Sequence, residues 1–93
     1  MDNNTEKATL KAGGFQAIET KYLGPTDHKG ARYKATAQAG SVTISQDYSL
    51  NYEKNHAKAA QAYADKMGWT GNYVGGATKT GYVFVYVAGL GGE

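Results

Sequence analysis

The clearest pattern in the chain is a two-residue alternation over residues 31–39. Ala31, Tyr33, Ala35, Ala37 and Ala39 fall on one side, and Arg32, Lys34, Thr36 and Gln38 on the other. Successive side chains of a strand point to opposite faces, so this predicts an amphipathic strand with a small apolar inner face and a basic, polar outer face. The small alanines leave room for a helix to come close. After a turn at Gly40, residues 41–48 alternate again, with Val42 and Ile44 inward. Upstream, residues 15–23 read as a strand. Ile18, Thr20 and Tyr22 share one face, and Phe15, Ala17, Glu19 and Lys21 the other. Between the first two strands, residues 24–30 hold the only proline, two glycines and Asp27. That is turn chemistry, long enough for a protruding loop.

The period becomes helical after residue 50. Ala57, Ala60, Ala64 and Met67, flanked by Ala59 and Tyr63, predict one apolar stripe on a helix over residues 51–67. Asn51 suits the N-cap, Glu53 the first turn, Lys66 the last turn and Gly68 the position just past the end. Trp69 is expected to fold back onto the core. Residues 71–77 make a weak strand broken by Gly75 and Gly76, residues 78–80 a turn, and residues 81–87 a strong strand of β-branched and aromatic residues. The order is βββαββ. It predicts a small two-layer α+β domain, an antiparallel sheet of about five strands with one main helix. Residues 1–14 are expected to be a mobile arm, residues 15–87 the single domain, and residues 88–93 a flexible tail.

Composition narrows the function. Ninety-three residues hold one core. Ten basic and eight acidic residues give a net charge of +2, which tolerates an acidic partner without demanding one and is wrong for a nucleic-acid mimic. The absence of cysteine excludes disulfides and thiolate metal sites. No apolar run approaches the roughly 20 residues that span a bilayer, and the N-terminus lacks a signal-peptide pattern. A cytoplasmic protein with no membrane partner is therefore expected.

Candidate chemistry concentrates in the last strand. Val83, Val85 and Val87 form one face, and Tyr82, Phe84 and Tyr86 the other. The valines suit packing beneath an Ala-rich helix, which would leave the aromatics outside as a docking platform. The reverse assignment, aromatics inward and valines outward, stays open on pattern alone. GYVFV at 81–85 matches part of the RNA-recognition strand pattern. Thr80, Val83 and Val87 depart from it, and the one-helix order lacks that fold's two helices. The physical idea stands apart from that family: aromatics beside Arg32 and Lys34 suit single-stranded nucleic acid by stacking plus charge. Residues 75–80 lack the Gly-Lys step of a phosphate-binding loop and read as a glycine-rich hairpin. His28, beside Asp27, and His56 stand alone, without metal-ligand spacing. No metal, cofactor or catalytic constellation is expected.

The segments YLGPTDHKGARYKA at 22–35, NHAKAAQAYADKMGW at 55–69 and GYVFV at 81–85 together resemble a small family encoded on phages, plasmids and integrated elements. The resemblance covers about residues 15–87 and carries over no activity or catalytic residue. It implies a context, an accessory protein of a mobile element. Such proteins often bind a host protein or nucleoprotein complex, including as inhibitors of CRISPR or restriction systems. The sequence thus reads as a non-enzymatic binding protein using Tyr82, Phe84, Tyr86, Arg32 and Lys34, with Asp27, His28 and Lys29 of the 24–30 loop. The alternative is a single-stranded nucleic-acid binder on the same residues. A homodimer through an uncovered sheet face or edge is a further expectation.

Overall fold

A computed structural model describes residues 16–87; Phe15, the 1–14 arm and the 88–93 tail lie outside the described residues. The alternating segments become strands β1 (Ile18–Leu23), β2 (Arg32–Ala37) and β3 (Gly40–Ser45). Helix α1 (Tyr52–Met67) follows, then β4 (Tyr73–Ala77) and β5 (Gly81–Tyr86). The sheet runs β3-β2-β1-β5-β4, and every neighbouring pair is antiparallel. The helix carries the chain from one edge of the sheet to the other and packs mainly on β1, β2 and β3. The small two-layer α+β domain expected from the pattern is the fold. No helix of the described residues is long and apolar enough to cross a membrane.

The core is built from small residues. Ile18, Tyr33 and Ala35 from the sheet meet Ala59, Ala60, Tyr63 and Ala64 from the helix, with Val42 and Ile44 packed at the side. Alanine on alanine lets the two backbones approach closely, and the tyrosines fill what is left. The inward sets Ile18, Thr20 of β1 and Tyr33, Ala35 of β2 are as the alternation predicts. Ala39 is an exception: it lies in the exposed turn before Gly40.

The helix ends behave as its sequence dictates. Asn51 Oδ1 accepts from the Lys54 N–H at 2.8 Å. Gly68 closes the helix in the left-handed region, at φ 73°, where a Cβ would be penalised. Trp69 turns back so that its ring meets Tyr63 edge-on at 5.4 Å. The buried stripe, however, is rotated from the expected one. It runs Asn55, His56, Ala59, Ala60, Tyr63 and Ala64, while Ala57 is exposed and Met67 is 36% exposed. Two polar residues displaced two apolar ones because both polar side chains are held. Asn55 Nδ2 donates to the carbonyls of Asp47, Leu50 and Asn51 at 3.0–3.2 Å, and its Oδ1 accepts from the Asp47 N–H at 2.8 Å. That tie pins the β3–α1 loop to the helix.

The last strand has the reverse orientation to the one expected. Phe84 pairs with Ile18, and Tyr82 with Thr20, so these rings share the face of the buried β1 residues. Tyr82, Phe84 and Tyr86 point to the helix side, and Val83, Val85 and, by alternation, Val87 point away. The reason is reach. The helix lies over β1–β3, and β5 sits off to its side. Valines there would fall short of the helix, whereas Tyr and Phe rings span the gap. A side chain at Gly75 or Gly71 would strike the Phe84 or Tyr86 ring, so those glycines make room for the aromatics.

Candidate functional site

Turning β5 over separates the predicted site residues into two groups. Arg32 and Lys34 lie on the outer face of the sheet, away from the helix, whereas Tyr82, Phe84 and Tyr86 lie on the helix side. A combined stacking-and-charge platform on one face does not form. Asp27, His28 and Lys29 are exposed in the loop between β1 and β2. There Thr26 N–H donates to the Lys29 carbonyl at 2.7 Å, and Thr26 Oγ1 accepts from the backbone N–H groups of His28 and Lys29. The loop tip is thus a closed turn. Arg32 leans back toward its base, with Nε donating to the Gly30 carbonyl at 3.1 Å.

Among the described residues, the outer face is the uncovered one. Lys21 stands directly opposite Lys34, Leu23 opposite Arg32, and Glu19 opposite both Thr36 and Val83. Among the described residues, neither Lys21 nor Lys34 forms an ion pair. Around them is a shallow depression of about 430 Å³, lined by Glu19, Thr20, Lys21, Lys34, Thr36, Thr78, Thr80, Tyr82 and Val83. Glu19 supplies the carboxylate in this lining, and the two lysines outweigh it. Val74 and Val85, 52% and 42% exposed, continue the face toward β4. Lys21 was not singled out by sequence reasoning. Its signal was its parity with Glu19 in an alternating strand, which becomes meaningful only once the register sets it against Lys34.

The aromatic group forms two clusters beside the helix. In the first, His56 is fully buried, with Nδ1 2.6 Å from Thr20 Oγ1. Tyr33, Tyr52 and Tyr82 surround its ring at 4.9, 4.4 and 4.9 Å between centroids. Its Nε2 has no hydrogen-bond partner. Nδ1 and the Thr20 hydroxyl share one hydrogen bond, and Nε2 faces the tyrosine rings. Burial pushes the imidazole below its ordinary 6.5 and pushes the Tyr33 phenol up. The Tyr82 phenol is raised as well, by desolvation first and then by the Glu53 carboxylate. In the second cluster, Phe84, Tyr73 and Trp69 wall a groove of about 290 Å³ against Ala60 and Ala64.

His56, enclosed on every side, meets no solvent. At the start of the helix, Asp47 is held well below the usual carboxylate range, first by the Ser49 hydroxyl and then by Lys58 at 2.9 Å. The Ser49 contact closes the loop on itself, and the Lys58 contact ties it to the helix. Among the described residues no three His, Cys, Asp or Glu side chains gather into a metal-holding group. No family model, no curated protein and no solved structure matches this chain.

Proposed function

We propose that the protein is a non-enzymatic binding protein that docks a protein or nucleoprotein partner on the outer face of its sheet. One observation carries the reading: Lys21 and Lys34 face each other across β1 and β2 with no carboxylate paired to either among the described residues. Like charges directly opposite on a sheet are destabilising. An anionic group from a partner, set between the two ammonium groups, turns that repulsion into attraction. The exposed Val74 and Val85 add apolar area to the far end of the same face, and Arg32 with the Lys29 loop extends its positive rim.

The resemblance to accessory proteins of phages and plasmids supplies the biological context for this reading: a host defence complex, of CRISPR or restriction type, as the partner. The single-stranded nucleic-acid alternative loses its stacking component, because the rings and the basic residues lie on opposite faces.

Affinity capture from a bacterial lysate with the Lys21→Glu/Lys34→Glu double variant tests the proposal. Both side chains are on the uncovered face, so the variant keeps the wild-type circular dichroism and melting curve. Retention of the captured partner falls about 10-fold or more. Capture that survives nuclease treatment identifies a protein surface as the target, and capture abolished by nuclease identifies nucleic acid. A double variant that captures the same partner as well as the wild type removes the outer face from consideration.

A further inference from the structure

Among the described residues, strand β4 is an open edge with a register written into it. Thr78 N–H donates to the Gly81 carbonyl at 2.7 Å, and Val87 N–H to the Asn72 carbonyl at 2.8 Å. In an antiparallel ladder, successive residues alternate between bonding the neighbour and facing away. Counting inward from Asn72 and Thr78, Val74 and Gly76 direct their backbone groups to β5. Tyr73, Gly75 and Ala77 present theirs to the outside. The strand Tyr73–Ala77 carries no charge and no proline, two of the devices by which natural edges avoid pairing.

The two glycines of β4 differ in their reasons. A side chain at Gly75 would strike Phe84. Gly76 has no such constraint: its φ is not positive, and a Cβ there would meet nothing within 4 Å. Glycine inside a strand is unfavourable for lack of packing and for its extra entropy. Where the chain itself does not require it, it marks a place where another backbone or side chain comes close. The other edge, β3, has no glycine inside the strand past its first residue.

We infer that β4 pairs antiparallel with the β4 of a second copy of this chain, about a two-fold axis perpendicular to the sheet and midway between the two Gly75 residues. The outward residues are the ones such a pairing bonds. Gly75 meets Gly75 of the partner subunit, Tyr73 meets Ala77 of the partner subunit, and Ala77 meets Tyr73 of the partner subunit. On the helix side, each large ring is set against a small methyl. On the outer face, Val74 is set over Gly76 of the partner subunit, which provides the space for it. The sequence Tyr-Val-Gly-Gly-Ala is thus complementary to itself in size when read antiparallel about its centre. Both helices stay on one side, and the result is a continuous ten-stranded sheet (five strands from each copy). An interface of one strand edge is small, below the roughly 1,200 Å² of stable complexes, so the dimer is weak and depends on concentration.

Sedimentation of the full chain from about 5 μM to about 1 mM tests this. The mass rises from 9.9 kDa toward twice that value. Ala77→Pro removes an outward N–H that the pairing bonds, and breaks no bond to β5. That variant keeps its melting temperature and stays monomeric over the same range. A wild type that remains monomeric throughout overturns the inference, and so does an Ala77→Pro variant that dimerises as well as the wild type. Amide hydrogen exchange decides the case in the unaltered protein, whatever the variant does. Slowing of Gly75 and Ala77 exchange with rising concentration supports the pairing, and equal exchange at both ends of the range overturns it.

Discussion

His56 shows how a single residue links burial to solution behaviour. The folded chain holds it neutral among Tyr33, Tyr52 and Tyr82, with its titration displaced below 6.5 by burial. The unfolded chain titrates it at the ordinary value, so below that pH the unfolded state binds the proton that the folded state refuses. The stabilisation is complete above 6.5 and is lost as the pH falls from 6.5 through the folded value. The expected result is a melting temperature that drops between about pH 7 and about pH 5, and a His56→Phe variant in which that drop is flattened. Asp47 acts in a separate window. Its depressed titration means its contribution is present above 3.8 and fades only as the pH falls below that value. Thr20 matters through the same imidazole. Thr20→Val leaves Nδ1 without its partner and is expected to cost about 1–3 kcal/mol by chemical denaturation. Nothing in the sequence pattern flagged this pair. Thr20 reads as an inward strand residue and His56 as a lone histidine, and only the crossing of helix over β1 joins them across 36 positions.

At the scale of elements, the order of the strands and the helix with its caps were legible because their signals are local, while strand ends moved by up to three residues. Alternation, the Asn51 and Gly68 caps and the turn residues each act within a few positions. What was not legible was orientation. The two faces of β5 are equally apolar, so the choice between Tyr82, Phe84, Tyr86 and Val83, Val85, Val87 depends on how far the helix sits from that strand. The rotation of the helical stripe has the same origin, since Asn55 earns its burial only from the carbonyls of a loop that folds back on it. Two variants test these accounts by denaturant unfolding. Gly75→Val drives a side chain into the Phe84 ring and is expected to cost about 1–3 kcal/mol by overpacking. Asn55→Ala strands several buried backbone groups of the β3–α1 loop, costs about 2 kcal/mol or more, and speeds amide exchange over residues 47–51 before the rest of the chain.

The molecule as a whole divides its labour between the two sides of one sheet. The helix side holds nearly all the rings and the buried imidazole and supplies stability. The outer side holds Lys21, Arg32, Lys34, the threonine-lined depression and two exposed valines, and carries the proposed docking surface. The candidate site was therefore half legible. Arg32 and Lys34 were visible as the outer positions of a strict alternation, whereas the aromatics assigned beside them belong to the opposite face. The whole account depends on which side β5 shows to the helix, and a nuclear Overhauser spectrum of the unaltered protein measures that directly. It predicts cross-peaks from the Tyr82 ring to His56 and Tyr52, whose rings lie 4.9 and 6.0 Å away between centroids, and none from the Val83 or Val85 methyls to the helix. Cross-peaks from those valine methyls to Ala60 or Ala64, with none from Tyr82 to His56, would contradict it.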